Sequence, residues 1–160
     1  MVVLIMGVSG SGKTTVGKML AAKLGGPFYD ADDFHPSENK AKMTNGIPLT
    51  DADRQPWLHA LVTQIRACLA SQESAVFAVS ALKQAYRDVL TVDSAVRLVY
   101  LKGVPSLIRQ RMQQRPDHFF KPALLQSQFD ALEEPDDALT VDITLPPEVL
   151  VQRISEALEC

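Results

Sequence analysis

Short apolar runs alternate with segments of helical periodicity along the chain. The apolar runs predict five strands, at residues 2–6, 27–30, 75–79, 96–101 and 141–145. Most of them have no polar positions to face solvent, which indicates a sheet covered on both faces. Between the runs, spacings such as that of Val16, Leu20 and Leu24 predict one-sided crossover helices. The sequence therefore predicts an α/β three-layer sandwich around a five-stranded, mainly parallel sheet.

Two segments interrupt this rhythm. Residues 33–58 are polar and contain Pro36, Pro48 and Pro56, and residues 111–135 are rich in Arg, Gln, Pro and Phe. We interpret both as functional insertions at one edge of the sheet, the first for substrate binding and the second as a lid that closes over the ligands. No repeat or linker divides the 160 residues, so we expect a single domain over 1–160.

Composition narrows the possible partners. The chain has 16 basic and 19 acidic residues, a net charge of −3, and its basic residues are scattered. This balance argues against disorder and against a nucleic-acid or membrane-surface partner. The longest apolar stretch, residues 1–8, is too short to span a bilayer, and Cys68 and Cys160 show no metal or redox spacing. We therefore expect a cytoplasmic protein.

The strongest motif follows the first predicted strand and precedes an amphipathic helix. It reads G-x-x-x-x-G-K-T and consists of Gly7, Val8, Ser9, Gly10, Ser11, Gly12, Lys13 and Thr14, with Thr15 next. Its glycines let the loop wrap closely, and its backbone N–H groups together with the helix N-terminus suit phosphate oxygens. We expect Lys13 to reach the β and γ phosphates and the Thr14 hydroxyl to hold Mg²⁺.

A phosphate-binding loop does not by itself select among switches, motors and small-molecule kinases. A GTPase would normally show Asp-x-x-Gly and Asn-Lys-x-Asp motifs. No glycine here has an aspartate three positions before it, and the sequence from Asn39 to Lys42 lacks the final aspartate. Guanine-nucleotide switching is therefore disfavoured.

Two carboxylates follow the second predicted strand, Asp30 and Asp32. Alternate residues of an extended chain share a face, and ligands of open α/β sheets bind at the carboxyl ends of strands. One carboxylate would then serve the metal and the other an acceptor hydroxyl, as in a kinase. The alternative is that the pair caps the next helix or is merely solvated.

Polar and basic residues suited to a small anion come next along the chain: His35, Lys42, Arg54, Ser80, Lys83 and Arg87. Taken singly, each is weak evidence, because a lone His or Lys is usually an ordinary surface residue. Ser80 follows the third predicted strand, and Lys83 and Arg87 are one helical turn apart, so both could face the same rim. Trp57 we interpret as a packing residue.

Arg111 and Arg115 stand four residues apart at the end of a predicted helix. Guanidinium groups stack on flat bases and fork onto phosphates, as a lid requires. The alternative is a basic last turn favoured by the helix dipole.

Nearly the whole chain resembles the bacterial-type gluconokinases of the shikimate kinase-like P-loop group. Beside the phosphate-binding loop, the resemblance rests on Asp30-x-Asp32-x-x-His35-Pro36, Asn39-x-x-Lys42-Met43-x-x-Gly46-x-Pro48-Leu49-x-Asp51-x-Asp53-Arg54-x-Pro56-Trp57-Leu58, Ser80-Ala81-Leu82-Lys83-x-x-Tyr86-Arg87-Asp88-x-Leu90, Tyr100-Leu101-Lys102-Gly103, His118-Phe119-Phe120 and Leu124-Leu125-x-Ser127-Gln128-Phe129-x-x-Leu132-Glu133-x-Pro135.

The resemblance implies ATP- and Mg²⁺-dependent phosphorylation of D-gluconate at its 6-hydroxyl, giving 6-phospho-D-gluconate in gluconate catabolism, by a homodimer. By position it gives Lys13 and Thr14 to nucleotide and metal, places Asp30 nearer the metal and makes Asp32 the base. Arg54 and Lys83 would hold the substrate, and Arg111 and Arg115 would cover the nucleotide, with Arg115 catalytic. The supporting substrate residues would be His35, Lys42, Ser80, Arg87 and His118.

Three positions depart from the family pattern: Val79 where a cysteine is frequent, Thr91 where an arginine is common, and Asp117 where a glycine often precedes His-Phe. Only Asp117 bears on the expected mechanism, because glycine is the freer hinge for a lid.

The residues alone, without the resemblance, support a Mg-ATP kinase for a small hydroxylated anion. A shikimate or nucleoside kinase is the nearest alternative, although Ser80-Ala81-Leu82 stands where shikimate kinases have a glycine triplet. A non-catalytic ATP-binding module is a second alternative, and the Asp30 and Asp32 pair beside basic residues argues against it.

Overall fold

The computed structural model describes residues 1–115 and 122–158. Within these ranges five strands pair in parallel, and their spatial order is β2-β3-β1-β4-β5. The strands are β1 (Val2–Met6), β2 (Phe28–Asp30), β3 (Ala75–Ala78), β4 (Val96–Lys102) and β5 (Leu139–Asp142). The predicted five-stranded parallel sheet and α/β class are confirmed.

Seven α-helices lie in the described ranges, six between strands and the last after β5. They are α1 (Lys13–Leu24), α2 (Ser37–Thr44), α3 (Asp51–Ala70), α4 (Gln84–Leu90), α5 (Pro105–Gln113), α6 (Pro122–Ala131) and α7 (Pro147–Ala157), and a 3₁₀ helix spans Ala31–Phe34. The predicted insertion at 33–58 thus folds as the end of the 3₁₀ helix, α2 and the first turns of α3.

The central strand β1 is apolar throughout because helices cover both of its faces. Val3 and Ile5 belong to the buried cluster that includes residues of α1 and α7, whereas Val2, Leu4 and Met6 belong to the cluster that includes α3. Burying each such side chain contributes about 1.5–3 kcal/mol to folding. This two-sided burial fixes the sheet as a rigid base for the loops at its edge.

The fifth strand begins and ends earlier than the sequence predicted. It covers Leu139–Asp142, so the predicted bounds, 141–145, were wrong by two residues at the start and three at the end. The Asp142 carboxylate accepts a hydrogen bond from the Thr144 N–H at 2.9 Å, and the Leu145 N–H donates to the Asp142 carbonyl at 3.3 Å. These bonds turn the chain toward α7, so the apolar residues after Asp142 lie in a loop.

Because all five strands are parallel, their carboxyl ends meet at one edge of the sheet. The phosphate-binding loop follows β1 there, Asp30 ends β2, Ser80 follows β3 and Thr144 follows β5. Ligands of open α/β sheets bind at this edge. None of the helices in the described ranges has the length and apolarity needed to cross a lipid bilayer.

Candidate active site

The loop after β1 adopts a conformation that depends on glycine. Gly10 has φ 81° and Gly12 has φ 99°, both in the left-handed region that other residues rarely adopt. Gly12 also occupies the N-cap of α1. A Cβ on Gly10 would lie 2.8 Å from Cγ of Met112 in α5, so the loop packs against that helix and a side chain here would displace Met112.

The ammonium group of Lys13 lies inside this loop. Its Nζ donates to the Gly7 carbonyl at 2.9 Å and to the Val8 carbonyl at 3.0 Å. Burial lowers the pKa of Lys13 from 10.5 to about 8, and the nearby charges of Asp32 and Asp30 partly oppose this change. The structure therefore places Lys13 close enough to Asp30 and Asp32 for their charges to act on its pKa.

Asp30 and Asp32 have different surroundings. The Asp30 carboxylate accepts from the Asp32 N–H at 3.0 Å and caps the 3₁₀ helix, so part of the capping alternative is correct for Asp30. The pKa of Asp32 is raised, first because the surrounding protein removes part of its hydration and then because Asp30 is negative, while Lys13 opposes the rise. A carboxylate with a raised pKa is a better proton acceptor than an ordinary surface aspartate.

Thr14 and Asp30 line the same cleft, of about 400 Å³, between α1 and the end of β2. Both offer hard oxygen donors, which Mg²⁺ prefers. In the described part of the chain, no group of three or more histidine, cysteine or acidic residues is arranged to hold a metal. A magnesium ion that takes most of its ligands from phosphate and water fits this sparse donor set.

A second cleft, of about 280 Å³, opens on the other side of the loop. Arg111 and Arg115 line it together with Thr15, residues 10–12 of the loop and residues 144–147 of the turn after β5. Arg111 is held in place because its Nη2 donates to the Ile143 carbonyl at 2.5 Å. The structure thus places both predicted lid arginines beside the phosphate loop, and the turn at 144–147 is a part of this cleft that the sequence did not reveal.

Arg54 and Lys83, from distant parts of the sequence, meet at the ring of Tyr86. The Arg54 guanidinium carbon lies 5.6 Å and the Lys83 Nζ 5.7 Å from the ring centre. Arg54 also donates to the Tyr86 hydroxyl at 3.2 Å and to the Leu49 carbonyl at 3.0 Å. Tyr86 and Asp51 were not predicted as site residues, and their only signal in the sequence is that each stands three residues from a predicted cation, Lys83 or Arg54.

His35 and Lys42 lie nearby but already have protein partners. The buried His35 ring stacks on Trp57, with 4.7 Å between ring centres, and its Nδ1 accepts from Asn39 Nδ2 at 3.1 Å. Burial, followed by the charges of Arg54 and Lys40, lowers the pKa of His35, which favours the neutral ring. Lys42 pairs with the Asp53 carboxylate at 2.9 Å.

Trp57 is a packing residue, as predicted. Its side chain is buried, and Nε1 donates to the Ala31 carbonyl at 2.7 Å, which joins α3 to the 3₁₀ helix that carries Asp32. Trp57 therefore supports the site by packing and by this hydrogen bond, and no ligand contact is needed to explain its position.

Arg87 does not face the rim beside Lys83, contrary to the prediction. Its side chain is 1% exposed, and its two terminal nitrogens donate to the carbonyls of Ala81, Leu82 and Glu133 and to the Gln84 side chain, at 2.6–3.0 Å. The shared-face argument fails because Lys83 is the N-cap of α4, outside the helical turn. Arg87 holds the loop of Ser80 in place.

Two predicted substrate residues remain. Ser80 is half-buried two residues after the end of β3, at the expected edge. His118 lies outside the described residues, as does Asp117.

The comparisons with known proteins agree with this geometry. The family model for shikimate kinase matches residues 9–142. The chain is 44% identical to a probable gluconokinase of Mus musculus, over 99% of this chain and 97% of the mouse protein. It is 45% identical to the thermosensitive gluconokinase of Escherichia coli K12, over 88% of this chain and 78% of that protein.

A gluconokinase from Sinorhizobium meliloti 1021 has a similar structure, with a TM-score of 0.85 and 41% identity, covering 98% of this chain and 94% of that one. Coverage of this extent rules out a match confined to the phosphate-binding loop. The chain therefore belongs to the gluconokinase family, whose members share the shikimate kinase type of P-loop fold.

Proposed function

We propose that this protein transfers the γ-phosphoryl group of ATP to the 6-hydroxyl of D-gluconate and releases 6-phospho-D-gluconate and ADP. The observation that carries the proposal is the convergence of Lys13 with Asp30 and Asp32 at the carboxyl edge of the sheet, in a chain whose relatives are named gluconokinases. Phosphoryl transfer requires a positive charge beside the phosphates and a carboxylate beside the acceptor hydroxyl, and these residues provide both.

In this proposal the nucleotide phosphates lie in the loop of residues 7–14, with Thr15 and the first turn of α1 beyond them. Lys13 neutralises phosphate charge, and Arg111 and Arg115 border the neighbouring cleft, where the rest of the nucleotide fits. Thr14 and Asp30 would hold Mg²⁺. A magnesium ion there would neutralise the phosphate oxygens during transfer.

Asp32 is the proposed base. Its carboxylate accepts the proton of the acceptor hydroxyl as that oxygen forms a bond to the γ phosphorus and the bond from phosphorus to ADP breaks. The charge of Lys13 acts on the pKa of Asp32, which supports a base located close to the phosphate site. The products are ADP, the phosphate ester and a proton released from Asp32.

Arg54 and Lys83 are proposed to bind the carboxylate and hydroxyls of the sugar acid. They are the two cations that Tyr86 brings together, and both retain solvent-exposed surface, with 30% and 43% of their side chains exposed. His35, Lys42 and Ser80 are proposed to support this binding, and His118 is proposed for the same role from the family pattern. A neutral sugar lacks the group that two cations recognise.

The proposal includes the oligomeric state, the cellular location and the partners of the enzyme. The family resemblance supports a homodimer in the cytoplasm that acts on small molecules and has no nucleic-acid or membrane partner. Light scattering on the purified protein gives the oligomeric state directly. A monomer at micromolar concentration would remove the dimer without affecting the proposed reaction.

The deciding experiment measures ADP release from Mg-ATP and detects 6-phosphogluconate separately, with gluconate, shikimate, D-glucose and several nucleosides as acceptors. We expect activity with gluconate alone. Activity with shikimate or a nucleoside, with gluconate inert, would keep the kinase mechanism and discard the substrate. ATP binding with no acceptor-dependent ADP release would favour a non-catalytic module.

A further inference from the structure

We propose that Gln128, in α6, is a positioning residue for phosphoryl transfer that holds the phosphate-binding loop through Ser9. The Ser9 N–H donates to Gln128 Oε1 at 2.6 Å, and Gln128 Nε2 donates to Ser9 Oγ at 2.8 Å. The two residues are 119 positions apart in the chain. Both ends of one carboxamide therefore bind one residue of the loop.

The first of these bonds acts on the peptide unit that also binds Lys13. The Val8 carbonyl and the Ser9 N–H belong to one planar peptide. Lys13 Nζ donates to that carbonyl at 3.0 Å, while Gln128 accepts from the N–H on the opposite side at 2.6 Å. Rotation of this peptide would break both bonds, so Gln128 helps to fix the orientation of the group against which Lys13 rests.

The second bond fixes the Ser9 side chain, whereas the first gives the carboxamide its orientation. A flipped carboxamide would place Nε2 against the Ser9 N–H, donor against donor, although the Ser9 hydroxyl could then donate to Oε1. Ser9 and Gln128 are both half-buried, so water competes with these bonds only in part.

Gln128 itself sits on a well-anchored helix. Leu125 of α6 is 2% exposed, and Phe129 packs against the same core. Just beyond the helix, the Glu133 N–H donates to the Leu82 carbonyl at 2.8 Å, and the Glu133 carbonyl accepts from Arg87 at 2.6 Å. The position of Gln128 is therefore set by the core and by the loop that carries Ser80 and Lys83.

Adjacent residues of the phosphate loop thus rest on two different helices. Ser9 is bound by Gln128 of α6, and Gly10 packs against Ile108 and Met112 of α5. The loop is supported at the residues directly before its phosphate-facing turn. We infer that the support from α6 sets the position of Lys13, since that support acts on the peptide that Lys13 binds.

The test replaces Gln128 with Met, which keeps the length of the side chain and removes both hydrogen bonds. The matched control is Gln126→Met, an exposed position on the same helix whose side chain donates to the Asp130 carboxylate at 2.8 Å. Losing two partly buried hydrogen bonds should lower kcat about tenfold in Gln128→Met, with the KM for gluconate changed by less than about twofold. Gln126→Met should behave as the wild type.

A second variant separates the two bonds. Ser9→Ala removes the hydroxyl but keeps the N–H that binds Oε1, so we expect a smaller loss of kcat than in Gln128→Met. The double variant should be no worse than Gln128→Met alone, because the hydroxyl has no partner once the carboxamide is gone. Additive losses would contradict the shared contact.

A spectroscopic readout distinguishes positioning from general destabilisation. In protein with isotope-labelled lysine side chains, the NMR signal of Lys13 should shift in Gln128→Met and stay in place in Gln126→Met. A loss of kcat that merely follows the folded fraction, or an unmoved Lys13 signal, would overturn the inference. This inference rests on the proposed function only in that it assumes transfer from ATP. If the wild-type protein were inactive toward gluconate, the substrate assignment would fail. The NMR signal of Lys13 would still test the role of Gln128.

Discussion

The hydroxyl of Tyr86 donates a hydrogen bond to the carboxylate of Asp51. The same hydroxyl accepts from Arg54, and Lys83 Nζ lies 3.7 Å from the Asp51 carboxylate. The hydrogen bond from Tyr86, and then the charge of Lys83, hold the pKa of Asp51 below its usual value. Tyr86 is thus the hub of a cluster in which two cations share one anion and keep a net positive charge for an incoming carboxylate.

Tyr86→Phe should weaken binding of the sugar acid without affecting the nucleotide. The substitution keeps the ring beneath Arg54 and Lys83 but removes the hydroxyl that orients Arg54 and Asp51. Loss of about 1 kcal/mol of hydrogen bonding corresponds to a KM for gluconate raised about fivefold. Steady-state kinetics with each substrate varied in turn checks this, and the KM for ATP should stay constant.

The control for this prediction is Tyr100→Phe. Tyr100 is buried in β4, and its hydroxyl bonds to Glu134 at 3.4 Å and not to Asp51 or Arg54. This variant should leave the KM for gluconate unchanged. A KM equal in Tyr86→Phe and the wild type would remove the Tyr86 cluster from substrate binding.

Asp32→Asn should abolish most turnover while making the folded protein more stable at neutral pH. Removing a general base lowers kcat by about 10²–10⁴-fold, whereas ATP affinity depends on the loop and should persist. An acid whose pKa is raised on folding binds protons more tightly in the folded state. Stability then falls as the pH rises from the unfolded pKa of 3.8 through the folded pKa, and asparagine escapes this loss.

Thermal denaturation at several pH values checks the stability part of this prediction. The Tm of Asp32→Asn should exceed that of the wild type above the folded pKa, and the two curves should converge in acid. Asp136→Asn, at an exposed position between α6 and β5, is the charge-matched control and should show wild-type turnover. Near-normal turnover in Asp32→Asn would exclude Asp32 as the base.

Binding of Mg-ATP should draw a proton onto Lys13 at mildly alkaline pH. The pKa of Lys13 is about 8 in the ligand-free protein, and bound phosphates favour the charged ammonium. At pH 8 the uptake should be about half a proton, and it should approach one at pH 9. Titration calorimetry in buffers of different ionisation enthalpy measures this uptake. Lys13→Arg, which stays charged, should show none, and uptake that persists in that variant would assign the proton to another group.

Local patterns could predict the sheet and the phosphate loop, because both depend on neighbouring residues. Two-sided burial makes strands such as β1 uniformly apolar, and the spacing from Gly7 to Thr14 encodes the loop directly. The confirmed fold and family follow from these features. The error in β5 arose because the Thr144 N–H donates to the Asp142 carboxylate and ends the strand at Asp142, although the alternation of apolar and polar residues continues to Leu145.

Contacts between distant segments could not be predicted from the sequence. Gln128 meets Ser9 across 119 positions, and nothing in either local sequence marks the pair. Arg87 was misplaced for a related reason. Three of its four partners are backbone carbonyls, including that of Glu133, and every residue has a carbonyl, so the sequence does not show which ones an arginine will bind. Residue type indicated a cation at the site, but only tertiary packing decides whether a cation meets solvent or the backbone.

Arg87 therefore yields a prediction opposite to that for a substrate ligand. Arg87→Met keeps much of the buried volume but leaves the carbonyls of Ala81, Leu82 and Glu133 without this donor, which should lower the free energy of unfolding by about 3 kcal/mol. Arg87→Lys should lose nearly as much stability, because a single ammonium cannot span all these carbonyls.

Urea denaturation and the KM for gluconate, measured on the same samples, separate the two roles of Arg87. If Arg87 holds the backbone, both Arg87→Met and Arg87→Lys should lose much stability, and the KM of the folded enzyme should change by less than about threefold. A substrate ligand predicts a raised KM in Arg87→Met, partial recovery in Arg87→Lys and little change in stability. The burial of the guanidinium favours the first result, since a side chain that is 1% exposed has no surface left to offer a sugar acid.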